Sequence, residues 1–200
     1  MSATRYSQND EEDVILSFFD AGVGRFLDIG AFDGISLSNT RALAERGWSG
    51  IMVEPSPFNL CPLIESLKVF NGRVEAWSCA VNATGDPAVL KMTQEKSVMW
   101  ANTISEHEVP SPVNVTLRVE CVRIHDLLKH GPFDFISIDA EYLDFEILKD
   151  SPRGLYGCKM LCIEVPGPSR REEMKAYIES NIGFDIFHET NENIIAVSRE

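Results

Sequence analysis

The chain has 200 residues, 44% of them hydrophobic, and sets 31 Asp and Glu against 18 Lys and Arg, a formal net charge of -13 at pH 7. This length suits one α/β domain spanning 1–200 and is short for two, while the acidity argues against nucleic acid as a partner, because phosphates are held by Lys and Arg. No run approaches the ~18 apolar residues of a membrane span, the polar opening from Met1 to Asp13 is unlike a signal peptide, and the five cysteines, mostly inside apolar runs, read as reduced thiols of a cytoplasmic protein.

In chain order, Val14 to Phe19 reads as part of an opening helix stopped near Gly22. Arg25 to Ile29 is a buried strand, and Ser36 and Ser38 are N-cap candidates for a helix through Leu43 to Arg46, ended by Gly47. Gly50 to Glu54 is the second strand; Pro57 then opens a helix to about Val69. Val74 to Val81 is the third strand. From Asn82 to Pro112 the apolar pieces shorten and turn residues intervene, which predicts a hairpin and loop insertion. Val115 to Val122 alternates as a half-exposed strand does, and His125 to Lys129 is a helical turn. Phe133 to Ile138 and Lys159 to Val165 are buried strands, with a helix from Tyr142 to Leu148 between them. Ser169 to Asn181 is the last helix, and Phe184 to His188 with Ile194 to Ser198 forms a terminal hairpin. The pattern is α/β: a mostly parallel sheet closed by an antiparallel C-terminal hairpin.

The densest chemistry lies in Asp28-Ile29-Gly30-Ala31-Phe32-Asp33-Gly34, followed twenty residues later by Glu54. Strand, glycine turn, helix, strand and acid make a nucleotide-type cofactor site, with Glu54 placed to accept bonds from both ribose hydroxyls. A dinucleotide needs G-x-G-x-x-G so that pyrophosphate can meet bare backbone. Here Phe32 fills the central glycine position, and Asp28 and Asp33 would repel a diphosphate. S-adenosylmethionine carries no phosphate and has a sulfonium and an amine, so acids suit it. The plain alternative for Glu54 is an exposed strand-end acid.

These residues resemble the FkbM-type S-adenosylmethionine-dependent methyltransferases over nearly the whole chain. Tyr6-Ser7-Gln8-Asn9 with Glu12-Asp13 is similar to that family's opening motif. The resemblance continues through the Asp28–Gly34 loop with Ser38-Asn39-Thr40, and Gly47-Trp48-Ser49-Gly50 leading to Glu54-Pro55-Ser56-Pro57. Ala80-Val81, Asp134 to Glu141 with Glu146-Ile147-Leu148, and Cys162-Ile163-Glu164-Val165 complete it. The family's second signature is D-x-E-G, and Tyr142 stands where its glycine would be.

The resemblance implies the seven-stranded class I methyltransferase (Rossmann-like) fold, strand order 3-2-1-4-5-7-6, with both signatures facing one crevice. It implies S-adenosylmethionine as cofactor, bound by Glu54 and Pro55 at the ribose, by Gly30 and Ala31 along the methionine moiety and by Asp28 at the ammonium through water. Asn39 would meet the carboxylate end, and the backbone at Ala80 would line the adenine. Asp139 and Glu141 are the candidate general bases, and Asp139 is equally a candidate for the cofactor's amine; the plain alternative for Glu141 is a cap or first-turn acid of the next helix. His107 and His125 are the reserve bases. Asp139, Glu141 and Glu164 together could hold a divalent metal, but nothing in the spacing demands one and no metal ligand is assigned. The implied partner is a small-molecule or glycan acceptor, met by Met99, Trp100 and His107 of the insertion. The expected activity is O-methylation; a silent binding or scaffold protein is the alternative, and a nicotinamide oxidoreductase is opposed by Phe32 and the terminal hairpin.

Overall fold

The computed structural model describes residues 5–20, 22–95, 98–102, 115–165 and 167–199, and of 93–95, 98–102 and 168 it describes the backbone. The elements run Glu11–Phe18 (α1), Arg25–Ile29 (β1), Arg41–Glu45 (α2), Ser49–Val53 (β2), Pro57–Leu67 (α3), Val74–Trp77 (β3), Ala80–Val81 (β4), Ala88–Glu95 (β5) and Val98–Asn102 (β6). There follow Val115–Val119 (β7), Cys121–Val122 (β8), Ile124–Leu128 (α4), Phe135–Ile138 (β9), Asp144–Asp150 (α5), Met160–Glu164 (β10), Pro168–Tyr177 (α6), Phe184–Glu189 (β11) and Asn193–Ser198 (β12). Seven strands make one sheet in the order β3-β2-β1-β9-β10-β12-β11. Its first five strands are parallel, and β12 runs antiparallel to both β10 and β11.

The apolar runs are nearly continuous because the sheet is covered on both faces. Alternation at period two sorts them: Leu27, Ile29, Ile136, Ile138, Leu161 and Ile163 pack with Leu127, Phe145 and Met174, whereas Phe26, Met52, Phe135 and Met160 pack with Ile15, Leu43 and Leu63. Helices α4 to α6 therefore cover one face and α1 to α3 the other. Phe135 is wholly buried, and its truncation to Ala is of the kind that costs about 3–5 kcal/mol. The opening segment caps α1 locally. Ser7 Oγ accepts the Glu12 N–H (3.1 Å), and the Glu12 carboxylate accepts the Tyr6 N–H (2.8 Å). Glu11 then fastens α1 to the terminal hairpin through Thr190 (2.7 Å) and Asn193 (2.9 Å). Among the described residues no helix is long and apolar enough to cross a membrane.

Three expectations needed correction, the first being Val115 to Val122, which breaks at Glu120 into β7 and β8 of two different small sheets. The third strand stops at Trp77, and Ala80–Val81 leaves the main sheet to pair with β8. Helix α5 starts at Asp144, not Tyr142, because Glu141 and Tyr142 both take left-handed backbone (φ 51° and 78°), which a helix cannot contain. Within 82–112, β5 pairs antiparallel with β6 and, on its other side, with β7.

Candidate active site

Strand β1 leads outward to β2 and β3 on one side, and its other neighbour β9 leads to β10, so the sheet changes direction between β1 and β9. Ligands sit beyond the carboxyl ends of strands at such a point. A cleft lies there, enclosing about 940 Å³ of empty space with its open mouth counted. Its wall includes Asp28, Gly30, Ala31, Asn39, Glu54, Pro55 and Ala80 from the β1–β4 side and Asp139 and Glu141 from the end of β9. The nine residues assigned to the cofactor or named first as bases thus line one space. Of the reserve bases, His125 sits on α4 with its Nδ1 3.4 Å from the Tyr156 hydroxyl and is not part of the cleft wall. His107 lies outside the described residues; Met99 and Trp100 are placed by backbone alone, on β6.

Gly30 explains how the two signatures meet. A Cβ there would fall 1.6 Å from the Asp139 carbonyl oxygen, and the residue holds φ 86°. The Asp139 N–H donates to the Ile29 carbonyl (2.9 Å) at the same crossing. The glycine is needed first for chain to pass chain. Phe32 keeps a glycine-like φ of 53°, and its N–H donates to Glu54 Oε2 (3.0 Å). Glu54 Oε1 accepts from the Ser56 N–H (2.8 Å) and from Asn59 (3.4 Å). Glu54 is therefore not an exposed strand-end acid: it is 3% exposed and braces the loop that the sequence reading assigned to the cofactor.

Asp28 is also buried, and its Oδ2 accepts from the Thr40 hydroxyl at 2.5 Å. Burial pushes Asp28 up to about 7 against the pull of that bond, and burial likewise takes Glu54 to about 7 despite its backbone donors. Asn39 reaches across the sheet end, its Nδ2 3.3 Å from Ser137 Oγ and 3.6 Å from Cys162 Sγ. Glu141 is lifted to about 7 by burial and then by the charges of Asp139 and Glu54. It does not cap α5. Asp144 makes the local bond instead, its Oδ1 accepting the Ala140 N–H at 2.6 Å. Tyr142 is 44% exposed and does not line the cleft.

Sequence reasoning missed Thr40 and Asp144. Thr40 had a signal, standing in the matched Ser38-Asn39-Thr40 run. Asp144 stands three residues past Glu141 and directly before the buried Phe145, but only the left-handed turn at 141–142 brings it back toward β9. Among the described residues that line the cleft there is no Lys, Arg or His. The space is acidic at four points, which favours a cationic ligand and opposes a phosphate.

Fold, strand order and cleft define a class I methyltransferase. The chain belongs to the FkbM methyltransferase family: the Methyltransferase FkbM domain matches residues 28–188. As a member it is an S-adenosylmethionine-dependent methyltransferase. No curated protein matches the chain. Among solved structures it is similar to PH1948 of Pyrococcus horikoshii, described as a candidate RNA methyltransferase (TM-score 0.56, 12% identity, 94% of this chain and 80% of that one). It is also similar to the precorrin-6y C5,15-methyltransferase of Geobacter metallireducens (0.51, 14%, 99% and 93%) and to the methyltransferase domain of METTL16 (0.52, 10%, 94% and 65%). At such identities these likenesses speak to fold alone.

Proposed function

We propose that the protein transfers the methyl group of S-adenosylmethionine to a hydroxyl of a sugar, glycan or other small hydroxylated molecule. The observation that carries this reading is the cleft wall: among the described residues it holds four carboxylates and no cationic side chain, with two of the acids at the end of β9. Glu54 takes the ribose diol with the lone pairs its backbone donors leave free, and Gly30 and Ala31 offer main-chain groups to the methionine moiety. Ala80 faces the base. Methyl transfer is an in-line displacement, so the acceptor oxygen must stand about 3 Å from the methyl carbon, opposite sulfur. A hydroxyl becomes an adequate nucleophile as a base removes its proton. Glu141, held near 7, is matched to that task at neutral pH; Asp139 is the other base and also a partner for the cofactor's amine.

Calorimetry with S-adenosylmethionine, S-adenosylhomocysteine and NAD tests the cofactor assignment, and mass spectrometry of a panel of glycans and hydroxylated metabolites incubated with enzyme and cofactor tests the acceptor class. Methylation of carbon or nitrogen in place of oxygen would remove the hydroxyl reading. A second reading, a binding protein without turnover, is motivated by Tyr142 in place of the family glycine. It predicts homocysteine-form binding with no methylated product.

A further inference from the structure

Behind the cleft wall three carboxylates converge from three elements: Asp139 just past β9, Asp144 at the first position of α5, and Glu164 at the end of β10. One oxygen from each lies within 4.8 Å of the other two. The turn at Glu141 and Tyr142 makes the cluster, because its left-handed backbone folds Asp144 back toward β9. Glu141, which the sequence grouped with Asp139 and Glu164, is replaced in this set by Asp144.

An acidic cluster alone carries little meaning. Here a second observation accompanies it. The Asp144 side chain is wholly buried, one oxygen accepts the Ala140 N–H, and the other, Oδ2, has no hydrogen-bond partner among the described residues. A buried carboxylate oxygen left without a donor is uncommon and costly. Three carboxylates this close cannot all ionise without a counter-charge, and among the described residues no Lys, Arg or His pairs with any of them. Burial holds all three acids above the usual carboxylate range, with Glu164 sharing a hydrogen bond with Asp139. The donors are all oxygen, with no thiolate or imidazole, which suits hard ions. On an octahedral ion with ligands at about 2.1 Å, donor oxygens stand about 3 Å apart when adjacent and about 4.2 Å when opposite. The separations here, all within 4.8 Å, are close enough for the carboxylates to draw in around such an ion.

We propose that Asp139, Asp144 and Glu164 form a binding site for a hard divalent cation of the magnesium, manganese or calcium class. Of the three, only Asp139 lines the cleft, so the ion meets the cleft on that side. Building on the methyl-transfer reading, its role there would be to hold the acceptor hydroxyl and favour the loss of its proton, which turns Asp139 from base to ligand and leaves Glu141 as the base.

The test is a manganese titration of the full chain without cofactor, read by electron paramagnetic resonance and calorimetry. One saturable site per chain, with a dissociation constant between about 10⁻⁶ and 10⁻³ M, is expected. Asp144→Asn and Glu164→Gln, checked for folding by circular dichroism, should each weaken it at least tenfold. Absence of saturable binding in the wild-type chain, or unchanged affinity in the folded variants, overturns the site and points to acids that share protons. If Asp144→Asn fails to fold, Glu164→Gln decides. Homocysteine-form binding measured in the same metal-free samples separates the two ideas: its loss tells against the methyltransferase reading and leaves the ion site standing, and the converse holds.

Discussion

The two halves of the cleft treat their acids differently. On the β1–β2 side each carboxylate is met by the chain itself, Glu54 by the N–H groups of Phe32 and Ser56 and Asp28 by the Thr40 hydroxyl. On the β9–β10 side the acids mostly face one another, and one oxygen of Asp144 has no donor among the described residues. The first half is a finished surface whose shape is set before a ligand arrives. The second is finished only by something from outside, whether proton, cation or substrate.

The strongest way to break this arrangement is at the point where the halves touch. Gly30→Ala puts a methyl into the Asp139 carbonyl and asks alanine for a left-handed φ. Loss of the fold, or destabilisation above about 4 kcal/mol, is expected in a thermal melt. A variant that melts like wild type would mean that the crossing is looser than described.

Next come the acids of the open half. Glu141→Gln or Asp139→Asn should lower the methylation rate ~10²- to 10⁴-fold on a validated acceptor, while homocysteine-form affinity changes much less for Glu141. Near-normal rates in both variants would place the base elsewhere, with His107 the next to replace. In the finished half the effect is on binding. Glu54→Ala should weaken the homocysteine-form complex by about 1.5–3 kcal/mol, and an unchanged dissociation constant in a folded variant would remove Glu54 from the cofactor site.

The smallest expected effect is on pH dependence. Asp28 and Glu54 rise from 3.8 and 4.5 to about 7 on folding. The folded chain therefore keeps protons that the unfolded chain releases between about pH 4 and 7. These groups favour the fold most below about pH 4, and that contribution is lost as pH climbs through 7. Between about pH 5.5 and 8 their part in Tm should therefore fall steadily as pH rises, and level off above the folded values. Asp28→Asn should flatten the slope. A slope identical to wild type would show that Asp28 does not titrate in this window.

Much of this was legible in the residues. The buried strands announce themselves as short apolar runs between turn signals; Arg25 to Ile29 is placed to the residue, and the other strands of the main sheet within a few positions. The β1 loop and Glu54 could be read because glycines and an acid at fixed spacing belong to one local unit. The family resemblance supplied the strand order, which no local pattern contains. What stayed hidden depends on distant chain. Val74 to Val81 is a single apolar stretch to the eye, yet Ala80 pairs with Cys121, forty-one positions away, and so leaves the sheet. Likewise Asp144 joins Asp139 and Glu164 only because Glu141 and Tyr142 adopt backbone that neither residue type advertises.

The position of β12 has a consequence for how the chain acquires its shape. This strand comes last in the sheet in chain order, yet it stands inside it, between β10 and β11. As the polypeptide is synthesised, β10 and β11 both emerge before the segment that joins them. Until Ile194, Ile195 and Ala196 arrive, β10 shows an open row of N–H and C=O groups flanked by apolar side chains. Such edges recruit other strands, and a nascent or truncated chain ending before Asn193 is the form in which this protein is most exposed to aggregation.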